Sequence, residues 1–138
     1  MDVSRAIRDR RSIRRYTDQP VPEELVRQVI TAGMQAPSAG NLQSRRFHVV
    51  GDKRTRKRLA AAAMNQNFLA EAPLAIVVSA DHRIKREYGE RGIELYCLLD
   101  CAAATQNMLL CAHTLGLRFQ FGATSEGMGH HYQERGVP

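Results

Sequence analysis

Apolar residues recur at helical spacing in several stretches of the chain and predict an alternation of helices with a few strands. One such helix follows the turn Thr17–Pro22, and Glu23 and Glu24 suit the positive end of its dipole. It should end before Pro37, because the residue before a proline avoids the helical conformation. The apolar face of this helix consists of Leu25, Val26, Val29, Ile30, Gly33 and Met34.

Two more helices are indicated in the first half of the chain. Asp2 can cap a helix that runs through Asp9. A helix rich in lysine and arginine is predicted from about Thr55 to Met64, and the polar run Asn65–Asn67 ends it.

Three segments carry the patterns of strands. Phe47–Val50 is a short apolar run, and Leu74–Val78 is continuously apolar, which is typical of a strand covered on both faces. Arg118–Gly122 alternates between polar and apolar residues and predicts a third strand. Residues 82–92 are highly charged and predict either a mobile connection or a short helix.

The longest predicted helix runs from about Ile93 to Leu115 and is almost free of charge between Cys101 and Ala112. A helix that is apolar on nearly every side must be buried on nearly every side, so we expect it to be shared with a partner subunit. Gly116 is placed to end it. The elements together predict an α+β sandwich in which helices flank a small sheet.

The composition is that of an ordinary globular protein, and the 138 residues fit a single domain, residues 1–138. No apolar run approaches the roughly 20 residues that cross a bilayer, and the charged start lacks the apolar stretch of a signal peptide. The three cysteines, an odd number within one segment, indicate a reducing compartment. These features predict a cytoplasmic protein that does not enter membranes.

The net charge of +6 is unevenly distributed. Residues 1–58 hold 14 Lys and Arg against 6 Asp and Glu, a balance of +8, whereas residues 59–138 hold 6 against 8, a balance of −2. The first part is therefore the part expected to attract anions. It could be a solvated basic surface, a nucleic-acid surface or a specific phosphate site.

Arg10, Arg11 and Arg14 lie within about one and a half helical turns, so their guanidinium groups can converge on one phosphate. Ser12 adds a hydroxyl that can bond a phosphate or a ring carbonyl. Neither G-x-G-x-x-G nor G-x-x-x-x-G-K-[ST] occurs in the sequence, so side chains rather than a glycine-rich loop would hold the phosphate.

A second candidate segment is the loop Pro37–Asn41. Its small residues, among them Ser38 and Ala39, let the backbone approach a flat ligand. Asn41 and Gln43 offer amide donors and acceptors for the polar edge of a ring. Taken alone, these residues also fit an ordinary turn between a helix and a strand.

Taken together, the two segments resemble the FMN-dependent nitroreductase family. Arg10–Tyr16 reads RRSIRRY, and Ala36–Gln43 reads APSAGNLQ. The supporting matches follow in order at Asn65–Gln66, Ala72–Val78, Asp100–Leu110 and Ala112–Leu117. The resemblance covers about residues 4–122 and rests mainly on the first two motifs in tandem.

The resemblance implies a nitroreductase-like α/β/α sandwich that forms an intertwined homodimer, with FMN at each subunit interface and the long helix in the dimer core. The segment Arg10–Arg14 would bind the phosphate, ribityl chain and ring edge of the flavin. The loop Pro37–Asn41 would cover the flavin from the other subunit, and the backbone near Gly122 would approach the redox nitrogen. The residues assigned to the cofactor are Arg10, Arg11, Ser12, Arg14, Pro37, Ser38, Ala39, Asn41, Gln43, Asn65 and Gly122.

The activity implied by the resemblance is transfer of hydride from NADH or NADPH through FMN to a nitroaromatic, a quinone or a similar small acceptor. Because the cofactor carries this chemistry, no catalytic side chain and no metal are assigned. After the part that resembles this sequence, members of the family normally have a final strand, a further basic phosphate contact and an arm around the partner. We expect residues 1–138 to lack these features. We therefore expect Arg10–Arg14 to hold the phosphate largely alone. The alternative is a non-catalytic flavin or nucleotide binder, or a nucleic-acid binder that uses the basic surface.

Other groups of polar residues are less specific. Cys97 and Cys101 with His113 could bind zinc, but the usual C-x2-C spacing is missing, and buried structural cysteines are the simpler interpretation. His130–His131 is interpreted as part of a solvated tail. The arginines and lysines of residues 45–46 and 53–58 are interpreted as solvated, with attraction of NADPH phosphates as the alternative.

Overall fold

The structure is a computed structural model that describes residues 2–122. Its helices are α1 (Val3–Asp9), α2 (Glu23–Met34), α3 (Lys53–Ala62), α4 (Phe68–Glu71), α5 (Lys85–Arg91) and α6 (Cys97–Thr114). Its strands are β1 (Arg45–Val50) and β2 (Ala75–Ala80), which form an antiparallel pair. Single 3₁₀ turns lie at Ala39–Asn41 and His82–Ile84, and one π-helical turn, Gly92–Tyr96, joins α5 to α6. The predicted mixed sandwich of helices around a small sheet is confirmed.

The helix ends follow the local capping chemistry. The Asp2 carboxylate accepts a hydrogen bond from the Arg5 N–H at 2.9 Å, as predicted for the start of α1. Helix α3 begins two residues before the predicted Thr55, because the Asp52 carboxylate caps it by accepting from the Thr55 N–H at 2.7 Å. The charged residues after β2 form the short helix α5 rather than a structureless connection.

The two strands are longer than the apolar runs that predicted them. In their register Phe47 faces Val78 and Arg45 faces Ala80. Every residue of β2 is half-buried in this chain, so the predicted cover on both faces is incomplete. The third strand, predicted at Arg118–Gly122, is wrong. A strand requires a ladder of backbone hydrogen bonds to a neighbour, and this segment accepts only one such bond from a distant segment, at Phe119 O from Ile13 N–H (3.1 Å), within residues 2–122.

Helix α6 organises the core. It packs along α2, and Val29, Met108 and Ala112 are the buried centre of the contact, with Phe47 and Val78 from one sheet face packed against them. The helix ends in the predicted glycine cap, with two backbone bonds characteristic of that motif. The Leu117 N–H donates to Ala112 O at 2.9 Å, and the N–H of Gly116, whose φ is 76°, donates to His113 O at 3.1 Å.

The outer face of α6 is apolar, and residues 2–122 leave it largely uncovered. Leu98 and Leu99 are each 57% exposed, and Leu95 beside them is 40% exposed. The helical stretch His82–Thr114 is long and apolar enough to cross a bilayer by length and composition, a property shared by core helices of soluble proteins. Charged residues interrupt this stretch, so no unbroken apolar run in the sequence predicted it. All-round burial of α6 therefore requires a second surface outside the described part of the chain.

Two arginines that were interpreted as solvated are buried. Arg45 is 7% exposed and donates through Nη2 to Met34 O at 3.0 Å and Ala36 O at 2.7 Å. Arg56 is 8% exposed and donates through Nη1 to the carbonyls of Ala70 and Ala72. The last carbonyls of a helix have no partner within the helix, so a side-chain donor at that end replaces water. Neither guanidinium is placed as a free phosphate donor.

The buried Met108 tests this core. We expect Met108→Ala to lower the free energy of unfolding by about 2–5 kcal/mol, because the side chain is 2% exposed and its removal leaves a cavity. Urea denaturation of the full chain measures the change. Met34→Ala is the matched control, since Met34 is 54% exposed, and it should change stability by less than about 0.5 kcal/mol. Equal losses in the two variants would contradict the placement of α6 in the core.

Candidate functional site

The arginine segment, residues 10–14, leaves the end of α1. Arg10 ends that helix, and its N–H donates to Ala6 O at 3.1 Å. The Arg11 guanidinium folds back and donates through Nη1 to Arg8 O at 2.6 Å and to Arg10 O at 2.9 Å. Arg14 is exposed, and within residues 2–122 neither Arg10 nor Arg14 forms a salt bridge with a carboxylate. Arg10 and Arg14 are thus better placed than Arg11 to receive an anion.

The extended segment Phe119–Gly122 links the arginine segment to the turn at Asn65. Its first residue accepts the Ile13 N–H at 3.1 Å. At its other end, a Cβ on Gly122 would lie 2.6 Å from Gln66 Oε1, so only glycine fits there without a shift of that side chain. The residues assigned near positions 10–14, 65 and 122 therefore lie along one connected surface, here called the arginine side.

The loop Pro37–Gln43, here called the Pro37 loop, is fixed to α6 instead. The Ala39 N–H donates to Asp100 Oδ1 at 3.0 Å, and the hydroxyl of Ser44, directly after the loop, donates to Asp100 Oδ2 at 2.6 Å. Inside the loop, Ser38 Oγ accepts the Gln43 N–H at 2.9 Å. Pro37, Asn41 and Gln43 themselves are exposed, so the loop presents polar amides outward from a fixed base.

Backbone conformation distinguishes these loops from the rest of the described chain. Within residues 2–122, the non-glycine residues with positive φ are Asn41 (54°), Gln43 (51°), Met64 (57°) and Asn65 (58°). All four lie in the Pro37 loop or in the turn around Asn65. Left-handed backbone costs a non-glycine residue about 1–3 kcal/mol and concentrates at functional sites. Three of the four had been assigned from the sequence, and Met64 had not.

The arginine side and the Pro37 loop have separate contacts in the described part of the chain. Across residues 2–122, no hydrogen bond joins residues 10–14 to residues 37–43. The Pro37 loop faces helix α5, where the Tyr88 hydroxyl lies 2.6 Å from the position that a Cβ on Gly40 would take. Each surface therefore holds a part of the assigned residues.

A cavity of about 800 Å³ lies between β2, α2, α6 and the segment Gly116–Gly122. Its lining is mainly apolar and includes Tyr16, Met108 and Phe119. Burial raises the pKa of Tyr16, and Arg14 partly offsets that effect. Neither residues 10–14 nor the Pro37 loop line the cavity, so it is not where the assigned polar residues meet.

The cysteines are in apolar surroundings. Burial raises the pKa of Cys101 to about 11, with a smaller contribution from Cys97, and it also raises the pKa values of Cys97 and Cys111. Thiols with raised pKa values are poor nucleophiles and poor metal ligands at neutral pH. In residues 2–122 no three His, Cys, Asp or Glu side chains lie close enough to hold a metal ion, and His130–His131 falls outside these residues.

The donor chemistry of the assigned segments fits FMN. Residues 10–16, 37–43 and 64–67 contain no Asp or Glu. The first supplies guanidinium groups suited to a phosphate, and the other two supply the side-chain amides of Asn41, Gln43 and Asn65 for a heterocycle edge. A dianionic phosphate therefore meets no carboxylate in any of the three segments.

Three residues that support these loops, Gln66, Tyr88 and Asp100, were not assigned a role from the sequence. Asp100 is 4% exposed, and Gln66 and Tyr88 lie against Gly122 and Gly40 respectively. Asp100 had a usable signal, because an acidic residue in an almost uncharged helix must find hydrogen-bond donors when it is buried. Gln66 and Tyr88 carried no comparable signal.

Comparison with known proteins identifies the family of the chain. The family model described as "Nitroreductase family" matches residues 7–68 and 60–122. A candidate NADH dehydrogenase/NAD(P)H nitroreductase of Methanothermobacter thermautotrophicus is 38% identical over 117 residues, which are 85% of this chain and 58% of the relative. An FMN reductase [NAD(P)H] of Bacillus subtilis is 33% identical, over 84% of this chain and 51% of the relative.

Among solved structures, nitroreductase A of Vibrio parahaemolyticus superposes with a TM-score of 0.85 at 26% identity, covering 100% of this chain and 62% of that one. The chain thus spans somewhat over half the length of the relatives that it matches. The family match extends over most of the residues that the structure describes, including the arginine side and the Pro37 loop. The chain belongs to the nitroreductase family.

Proposed function

We propose that this chain forms a cytoplasmic, homodimeric FMN-dependent oxidoreductase, which reduces a small acceptor such as a nitroaromatic or a quinone with NADH or NADPH. The observation that carries the proposal is the placement of all four left-handed non-glycine residues of the described chain in the Pro37 loop and the Asn65 turn. The name of the Bacillus subtilis relative, FMN reductase [NAD(P)H], supports the choice of cofactor and electron donor.

Arg10 and Arg14 would hold the FMN phosphate, because they are the members of the arginine segment whose guanidinium groups do not cap α1. Asn41 and Gln43 would bond the polar edge of the flavin ring, and Asn65 would approach it from the arginine side. At Gly122 the absence of a side chain makes room for Gln66, whose Oε1 lies 2.6 Å from the position of a Cβ, and the backbone of Gly122 would approach the flavin from this side. When bound, FMN would supply the hydride chemistry itself, so these residues bind and orient rather than exchange protons.

Two chains would complete each site. The Pro37 loop and the arginine side lie apart within one chain, and α6 exposes Leu98 and Leu99 beside the residue that anchors the loop. A twofold interface repeats every contact, so two copies joined through α6 would form two equivalent sites. The Pro37 loop of one subunit would then cover the flavin held by the arginine side of the other.

The direct test is flavin uptake. The purified chain should bind added FMN, show the visible absorption of a bound flavin, and oxidise NADH or NADPH in the presence of a nitroaromatic or quinone acceptor. Fluorescence quenching of FMN measures binding, and loss of nicotinamide absorbance measures turnover. A chain that takes up no FMN, and instead binds RNA with a steep dependence on salt concentration, would support the nucleic-acid alternative.

The phosphate assignment is tested by Arg10→Ala combined with Arg14→Ala. Each charge-assisted hydrogen bond contributes about 1.5–3 kcal/mol, so the Kd for FMN should rise roughly 100-fold or more. The matched control is Lys57→Ala combined with Arg58→Ala, which removes two exposed cations from α3 and should change the Kd by less than about threefold at constant ionic strength. Similar losses in both double variants would mean that overall charge, rather than a specific phosphate site, attracts the cofactor.

The dimer assignment is tested by Leu98→Glu combined with Leu99→Glu. Burying two unpaired carboxylates opposes association strongly, so the dimer should dissociate to monomer at concentrations where the unmodified chain stays dimeric. Light scattering coupled to size-exclusion chromatography measures the mass. Lys57→Glu, an exposed change of similar chemistry on α3, should leave the mass unchanged. An intact dimer in the double variant would place the interface elsewhere.

A further inference from the structure

We propose that Asp100 is a positioning residue, whose buried carboxylate holds the Pro37 loop in its strained conformation before the cofactor binds. The inference rests on the proposed function for its consequence, FMN affinity. Its structural basis is the geometry of one carboxylate that contacts the loop at two points.

The two oxygens of Asp100 bond two different parts of the chain. Oδ1 accepts the Ala39 N–H at 3.0 Å, and Oδ2 accepts the Ser44 hydroxyl at 2.6 Å. Asp100 is 4% exposed and Ser44 is 3% exposed, so water does not replace either bond readily. No salt bridge within residues 2–122 involves Asp100, so these neutral donors are the carboxylate's partners in the described chain. A buried carboxylate requires hydrogen-bond donors, and the Ala39 N–H and the Ser44 hydroxyl supply them here.

The segment between the two anchors contains the strain. Ala39 and Ser44 enclose residues 40–43, where the non-glycine residues Asn41 and Gln43 have positive φ, 54° and 51°. Strained backbone persists only where its surroundings fix it. The internal bond from Gln43 N–H to Ser38 Oγ and the bonds from Arg45 to the end of α2 support the same segment. Asp100 is the one contact among these that ties the loop to a different helix, α6.

The position of Asp100 joins the loop to the proposed dimer face. Leu98 and Leu99, directly before it in α6, are each 57% exposed. The helix that would meet the partner subunit is therefore the helix that fixes the loop offered to that partner. A loop held in this way loses less conformational entropy when the cofactor binds.

The experiment compares three variants, Asp100→Asn, Ser44→Ala and the combination of the two, with a fourth variant, Thr105→Val, as the control. Thr105 supplies the matched control, because its hydroxyl donates to Cys101 O on the same helix at 2.8 Å and does not contact the loop. Two quantities are measured in the full chain: hydrogen exchange of the amides of residues 39–43 without FMN, and the Kd for FMN. Exchange in the absence of FMN reports on the loop independently of the proposed function.

We expect amide exchange in residues 39–43 and the Kd for FMN each to rise about 10-fold in Asp100→Asn and in Ser44→Ala, as for loss of one hydrogen bond to a charged group. The double variant should be no worse than Asp100→Asn, because both changes remove the same bond. Ser44→Thr keeps the hydroxyl and should restore both quantities toward the unmodified values, which a general loss of stability would not predict. Thr105→Val should leave both unchanged.

The outcomes distinguish failure of the proposed FMN-dependent function from failure of the positioning role of Asp100. If the unmodified chain takes up no FMN, the proposed function fails, and the role of Asp100 in affinity fails with it. If the unmodified chain binds FMN but Ser44→Ala changes neither exchange nor Kd, the positioning role is overturned while the proposed function stands. Because Ser44→Ala removes only one hydroxyl, it decides the question even if Asp100→Asn does not fold.

Discussion

The burial of helix α6 is the constraint on which the rest of the structure depends. One side of the helix forms the core of the chain, where Met108 and Ala112 pack against α2 and the inner face of the sheet. The opposite side carries exposed leucines. Fully burying a leucine side chain contributes about 1.5–3 kcal/mol, so covering these partly exposed leucines would add stability. The same helix also supplies the carboxylate that fixes the Pro37 loop. Core packing and the geometry of the loop therefore both depend on it, and so would the proposed association of two chains.

Local chemistry explains which parts of the fold could be predicted from the sequence. The caps at Asp2 and Gly116 involve residues within a few positions of one another, and both predictions are confirmed. The start of α3 was misplaced because Thr55 and Asp52 are both good capping residues, and only the structure shows which one accepts the bond. The third strand at Arg118–Gly122 had the right alternation, but a strand also needs a neighbour, which alternation does not specify.

Among the residues of the candidate site, those with a local sequence pattern could be predicted, and those that act through distant contacts could not. Residue types and spacing predicted the arginine segment and the Pro37 loop as candidate binding segments, because guanidinium groups and small residues have recognisable chemistry. Positions that act through distant partners were not predictable. The contacts of Asp100 span 56 and 61 residues of chain, and buried Arg45 reaches back 9 and 11 residues to the end of α2. In the sequence Arg45 and its neighbour Arg46 look alike, yet Arg45 bonds helix carbonyls while Arg46 pairs with Asp81.

Strain and charge act on different steps of cofactor binding. The balance of +8 over residues 1–58 attracts an anionic ligand over a distance, but salt screens it beyond about 10 Å at moderate ionic strength, and it does not distinguish FMN from RNA. The left-handed residues of the Pro37 loop and the Asn65 turn act only at contact, where their fixed backbone limits which ligand shapes fit. Under the proposed function, selectivity for a flavin would therefore depend on the loops rather than on the overall positive charge. Since the Pro37 loop would serve the partner's arginine side, that selectivity would be a property of the pair of subunits.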